Sequence, residues 1–131
     1  MRFTFKKYER LSSKLVIDKL FNKGKAFSKY PLRAIVDKTD RVDDAICKVL
    51  ISVPKKNFKS AVQRNRIKRL IREAYRKNKH ILDSGNTDNN KSQLVMAIIY
   101  TGKTIPDSSE VEKKLILILH LIIKNDVKTN R

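Results

Sequence analysis

The spacing of apolar residues in the first part of the chain predicts a helix. Apolar residues at positions 16, 17, 20 and 21 fall on one helical face. Ser12 and Ser13 stand just before them and are residue types that cap helix N-termini. The helix should run to about residue 23, with Gly24 in the left-handed conformation that often follows a helix.

Two capping boxes predict the starts of two further helices. The patterns are S-x-x-Q at 60–63 and S-x-x-E at 109–112, in which a side chain at each end satisfies an unpaired backbone donor. The first of these helices should run to about residue 80 and the second to about residue 125. The second is apolar nearly all round between 115 and 123, so one of its faces should cover a sheet.

Three segments have the composition of strands. An extended stretch over 32–37 follows Pro31, and residues 46–53 (ICKVLISV) end at Pro54. Residues 94–100 (LVMAIIY) are apolar throughout, which is typical of a strand buried on both faces of a sheet.

The order helix, strands, helix, strand, helix predicts an α+β fold with helices packed on one small sheet. Residues 47–100 hold a strand, a helix and a strand, which could form a parallel crossover unit. The polar stretch 83–93 should be a flexible loop. We expect a single domain over 1–131, with its core at about 8–124 and a tail at 126–131.

Charge changes this picture more than any other property. The 131 residues carry 31 Lys and Arg against 13 Asp and Glu, a net charge of +18. Residues 55–80 hold 11 basic and 1 acidic side chains, and residues 1–30 hold 9 and 2. Blocks of one sign predict a surface for a polyanion, and nucleic acid is favoured over an anionic membrane.

Several classes of protein are disfavoured. A lone cysteine, Cys47, cannot form an intrachain disulfide and should be a small core residue. The N-terminal residues lack the apolar run of a signal peptide, and no apolar run approaches the length that spans a bilayer. We therefore expect a soluble, cytoplasmic protein without a membrane partner.

The residues that a protein nuclease would need are not clustered. His80 and His120 stand alone, and the acidic residues between 37 and 44 fit a solvated hairpin connection better than a metal site. The chain, with 3 glycines in total, has no glycine-rich phosphate loop. We expect no catalytic residue and no metal ligand on the protein.

The predicted helix after residue 60 has two different sides. On a helical wheel, one stripe is apolar and a polar row lies opposite it. The apolar stripe holds Ile67, Leu70, Ile71, Ala74 and Tyr75, and the row holds Asn65, Lys68, Arg69, Arg72 and Arg76. Arginine suits phosphate because its planar, permanently charged fork donates two parallel hydrogen bonds.

These residues also resemble a known family. KVLISVPKKNFKSAVQRNRIKRLIREAYR is similar to the signature of the bacterial ribonuclease P protein subunit: paired lysines after a strand, then K-x-A-V-x-R-N-R-x-K-R-x-I-R-E. The likeness to the family extends over roughly residues 8–124. It implies a four-stranded sheet, the order α-β-β-β-α-β-α, and a left-handed crossover through the basic helix, against the usual right-handed rule.

The resemblance also implies partners and a reaction. The partners would be a catalytic RNA subunit and precursor tRNA, and the reaction would be hydrolysis that releases the tRNA 5′ leader. Mg²⁺ on the RNA would supply the chemistry, with no cofactor on the protein. The implied RNA-binding residues are Lys55, Lys56, Lys59, Arg64, Asn65, Arg66, Lys68, Arg69, Arg72 and Arg76.

A cleft between the first helix and the sheet would bind the leader, at Ile17, Phe21 and Ile35. The family usually has aromatic side chains here, and only Phe21 is kept, so base stacking should be reduced. We expect Arg64, Arg66, Lys68 and Arg72 to bind the RNA subunit.

Two other functions stay open on the residues alone. One is a general RNA-binding or ribosomal-type protein without a catalytic assembly. The other is a DNA-binding helix-turn-helix protein, which needs two short helices joined by a tight turn. Here the basic helix is flanked by apolar strands, so no DNA partner is expected.

Overall fold

The computed structural model describes residues 9–40, 47–84 and 92–129. Its helices and strands follow the predicted order, with one short helix added after the basic one. They are α1 (Lys14–Lys23), β1 (Lys25–Lys29), β2 (Leu32–Asp40), β3 (Cys47–Ser52), α2 (Ala61–Asn78), α3 (His80–Ser84), β4 (Ser92–Tyr100) and α4 (Ser108–Thr129).

The strands form one mixed sheet in the order β1-β2-β4-β3. β1 with β2 and β2 with β4 are antiparallel, whereas β3 and β4 are parallel. The chain between the parallel pair contains α2, so the predicted crossover unit and the α+β class are confirmed. The left-handed sense of the crossover stays a prediction.

Each face of the sheet is covered by different helices. The larger core lies between the sheet and the pair α2 and α4, and it includes Ile67, Ile71, Met96 and Leu115, all at 0% exposure. The opposite face has a smaller cluster, in which Leu20 of α1 packs near the strands. Because side chains alternate along a strand, one sheet serves both clusters.

The N-caps of α1 and α2 agree with the prediction. The N-cap of α4, the last helix, does not. The Ser13 and Ser60 hydroxyls accept hydrogen bonds from the Val16 and Gln63 backbone N–H groups, both at 3.4 Å. In α4, the Val111 N–H donates to the Asp107 carbonyl at 3.2 Å, so the helix begins before Ser109. Aspartate caps as well as serine does, and the pattern alone could not choose between the two starts.

The predicted left-handed conformation of Gly24 is wrong. Its φ is −70° and its ψ is 156°, an extended geometry that leads directly into β1. Glycine is needed there for space. A Cβ would lie 2.5 Å from Cγ2 of Ile35 and closer still to the Leu20 carbonyl oxygen.

Several boundaries also differ from the prediction. The connection expected over 83–93 is shorter, because α3 extends to Ser84 and β4 begins at Ser92. Residues 85–91 lie outside the described residues. The tail expected from 126 is helical to Thr129.

Candidate nucleic-acid interface

The cations of α2 do not form one uniform row. Asn65, Arg66 and Arg69 are exposed, whereas Lys68 and Arg72 are only partly accessible. The difference arises because Lys68 and Arg72 lie on the flank of the helix that is next to β3 and residues 10–12. The helix therefore presents an outer cationic face and a separate flank.

Arg64 has a structural role inside this surface. Its Nη1 donates to the carbonyl oxygens of Phe58 at 2.7 Å and Lys59 at 3.0 Å. Those carbonyls belong to the loop that connects β3 to α2. The guanidinium that was expected to bind RNA therefore holds the loop against the first turn of the helix.

The loop carries three more of the predicted cations. Lys55, Lys56 and Lys59 are exposed, while Phe58 between them is buried at 5% exposure. The Phe58 ring lies 5.9 Å from that of Tyr100, centroid to centroid, in a tilted arrangement. This aromatic pair anchors the loop, so the lysines extend from a fixed backbone just before the first turn of α2.

The last predicted cation is paired within the helix. Arg76 Nη2 donates to Glu73 Oε2 at 2.7 Å. That hydrogen bond, with the charges of Arg76, Lys77 and Arg72, holds the pKa of the Glu73 carboxyl below its usual value. Arg76 therefore already contacts an anion, and Arg66 and Arg69 are better placed to meet phosphate.

α1 packs against the sheet face where the leader cleft was expected, and the cleft itself stays a prediction. Across the sheet, Ile35, Ala97 and Leu50 stand side by side in the strand register, with Ala97 in the middle. α1 covers Ile35 and Ala97, and Leu50 and Ile99 stay partly exposed beside it. The partly exposed side chains of Leu50 and Ile99 therefore give β3 and β4 an apolar surface beside α1.

The predicted cleft residues differ in accessibility. Ile35 is 8% exposed and belongs to the buried part of the cluster, so it supports this surface. Ile17 is half-buried in the same cluster, and Phe21, one turn later, is 46% exposed. Leu50 and Ile99 were missed, although alternation along their strands predicts that they share a face with Ile35.

Two buried titratable side chains, those of Cys47 and Tyr75, belong to the larger core. Cys47 is buried in the core beside Tyr75, and burial raises the pKa of its thiol to about 12. Burial likewise raises the pKa of the Tyr75 hydroxyl. Both groups are neutral at physiological pH, and Cys47 is the core residue that was predicted.

Within residues 9–40, 47–84 and 92–129, no group of three His, Cys, Asp or Glu side chains could hold a metal ion. None of the helices in this part of the chain is long and apolar enough to cross a bilayer.

The chain is similar to ribonuclease P proteins in both sequence and fold. The sequence model of the family Ribonuclease P matches residues 5–120. The ribonuclease P protein component of Porphyromonas gingivalis is 39% identical over 113 residues, which covers 86% of this chain and 82% of that protein. That of Chlorobium phaeobacteroides is 34% identical over 130 residues and covers 91% and 88%. The structure of the Staphylococcus aureus RNase P protein superposes with a TM-score of 0.66 at 22% identity, covering 87% of this chain and 94% of that one.

Proposed function

Since the chain belongs to the bacterial ribonuclease P protein family, we propose that it binds the catalytic RNA subunit of ribonuclease P and the 5′ leader of precursor tRNA. Its membership makes it a protein component of a ribonucleoprotein endoribonuclease that acts in tRNA processing. Binding both RNAs would assist removal of the leader to give the mature 5′ end.

The observation that supports two RNA partners is the separation of two surfaces of different chemistry. The outer face of α2, with Arg66 and Arg69, lies on the side of the sheet that holds the larger core. The apolar cluster beside α1, with Ile17 and Ile99, lies on the opposite side. Cations suit the phosphates of a folded RNA, and an apolar cleft suits the unstacked bases of a single strand.

The proposal leaves the hydrolytic step to the RNA partner. Mg²⁺ bound by the catalytic RNA would activate the attacking water, and the protein side chains would bind no cofactor. The assembly would act in the cytoplasm.

Reconstitution tests the proposal directly. The purified protein and the cognate RNA subunit should together cleave precursor tRNA at a Mg²⁺ concentration at which the RNA alone is slow. The protein alone should not cleave. RNA binding that never raises the cleavage rate would instead indicate a general RNA-binding protein.

Variants separate the two surfaces. Arg66→Gln should weaken assembly with the catalytic RNA for every substrate, and Lys113→Gln, an exposed charge on α4, is its matched control. Phe21→Ala should leave assembly intact and lower the affinity for precursor tRNA relative to mature tRNA. Because Phe21 is 46% exposed, this variant should fold normally. An unchanged precursor-to-mature ratio would contradict the leader assignment.

A further inference from the structure

A groove of about 280 Å³ lies along the outer edge of β3, between the apolar surface beside α1 and the outer face of α2. The N-terminal segment 10–12 forms one wall and the flank of α2 forms the other. Leu50 and Ile51 form part of its apolar floor, and Arg10, Lys68 and Arg72 bring their charges to its lining.

The wall opposite α2 is held in place by specific contacts. Arg10 pairs with Val49 as a short parallel bridge, and the Leu11 N–H donates to the Val49 carbonyl at 2.9 Å. Just before it, Glu9 accepts from Lys79 at 2.6 Å, and its side chain is 9% exposed. The segment is therefore anchored to both the sheet and the end of α2, and the groove is formed in advance of binding.

The flank of α2 carries cations that the helix's own ion pairs do not use. Lys68 and Arg72 are one helical turn apart, so they point to the same side. Among residues 9–40, 47–84 and 92–129, the ion pairs near this flank join Arg76 to Glu73 and Lys79 to Glu9. Within the part of the chain that the structure describes, the charges of Lys68 and Arg72 are thus available for an external anion.

The combination of cations with an apolar floor favours a particular kind of ligand. A small inorganic anion would use the cations alone. A single RNA strand would place phosphates at the cations and bases on the aliphatic floor. Leu50 lines this groove and also packs against the cluster beneath α1, so the groove borders the surface that is proposed to bind the leader.

We propose that this groove binds the phosphodiester backbone of the precursor tRNA leader where the strand leaves the α1 cleft. Lys68 and Arg72 then contact the substrate. On the sequence alone, both of them, like Arg66, were instead expected to bind the catalytic RNA. The inference rests on the proposed function, because it takes the leader as the strand that enters the cleft.

The test compares matched charge removals on one helix. Lys68→Gln and Arg72→Gln are compared with Arg69→Gln, which removes the same charge from the exposed face. Gln has nearly the same helix propensity as Lys and Arg, so the helix is preserved. Two affinities are measured for each variant: that of the protein for the catalytic RNA, and that of the assembled enzyme for precursor tRNAs with leaders of increasing length.

The groove variants should lose affinity only for long leaders. In 0.1 M salt, each lost phosphate contact should cost about fivefold, and the slope of log K against log salt should shrink by about 0.7. Mature tRNA and short leaders should bind as they do to wild type, and assembly should be unchanged. Arg69→Gln should weaken assembly and leave the dependence on leader length intact. If Lys68→Gln and Arg72→Gln behave as Arg69→Gln does, the groove belongs to the catalytic RNA interface and the proposal is wrong.

A second measurement does not depend on assembly. The full-length protein is titrated into a labelled single-stranded oligoribonucleotide, and binding is followed by fluorescence anisotropy. Lys68→Gln and Arg72→Gln should each weaken binding more than Arg69→Gln does. Equal losses for all three variants would overturn the groove assignment. Failure of the wild-type protein to assemble with the catalytic RNA would overturn the proposed function and the groove assignment with it, whereas equal losses in a protein that assembles normally overturn the groove assignment alone.

Discussion

Replacing Gly24 by alanine tests how α1 is positioned over the sheet. At a backbone geometry such as φ −70° and ψ 156°, Gly→Ala should stabilise a protein by about 0.4–1 kcal/mol, because the unfolded chain loses freedom. At Gly24 the added methyl group would lie 2.5 Å from Ile35 Cγ2 and closer still to the Leu20 carbonyl oxygen. The substitution therefore sets an entropic gain against steric overlap.

The overlap should be the larger effect. Forcing an extra methyl group into a packed site costs about 1–3 kcal/mol. Ile35 is β-branched and buried, so its side chain has little freedom to move. A shift of the helix end would also strain the 2.8 Å hydrogen bond from the Gly24 N–H to the Leu20 carbonyl, worth about 0.5–1.5 kcal/mol. The net expectation is a loss of about 1–3 kcal/mol.

Urea denaturation followed by circular dichroism measures the loss. Asn22→Ala, an exposed change on the same helix, is the control and should have little effect. Ile35→Ala alone should cost about 2–5 kcal/mol. The double variant with Gly24→Ala and Ile35→Ala should lose less stability than the two single losses added together, because the Ile35 side chain that meets the new methyl group is gone. A Gly24→Ala protein as stable as wild type would refute the reasoning.

Three further outcomes are expected. Arg64→Ala should lower the free energy of unfolding by about 1.5–3 kcal/mol, because two backbone carbonyls lose a charged donor; an unchanged urea midpoint would contradict this. Glu9→Gln should destabilise by about 1–3 kcal/mol in urea, because it leaves the partly buried Lys79 ammonium without its carboxylate; a loss that disappears in high salt would instead indicate a solvent-screened pair. The unfolded Cys47 thiol ionises above pH 9.0 and the folded one only near 12, so stability should fall by about 1.4 kcal/mol per pH unit in that window. The free energy of unfolding of Cys47→Ala, measured by urea denaturation at pH 9 to 11, should fall less steeply with pH than that of wild type. An equally steep fall would exclude the thiol as its source.

The sequence predicted those features that depend on local spacing. The apolar stripe of α2 contains Ile67 and Ile71, and both are buried as the wheel required. β1 was not visible in the pattern. Only Phe27 in its middle packs on the core, so the strand has no run of apolar residues.

The helical wheel alone could not predict which cations of α2 are exposed and which are only partly accessible. Lys68 and Arg72 differ from Arg69 because β3 and the segment 10–12 lie beside one flank. That contact joins parts of the chain that are far apart in sequence. The role of Arg64 depends likewise on where the preceding loop folds back, which is a tertiary contact that no periodicity encodes.

The central place of β4 in the sheet has a consequence during synthesis. β4 is the last strand to be made, yet it lies between β2 and β3. Until residue 100 has left the ribosome, β3 has no strand partner within the sheet and α2 lacks the surface on which it packs. Residues 55–80, with 11 basic side chains and 1 acidic one, therefore emerge before the sheet can close. For that interval the nascent chain is an unanchored polycation beside ribosomal RNA, and closure around β4 converts it into a fixed helix.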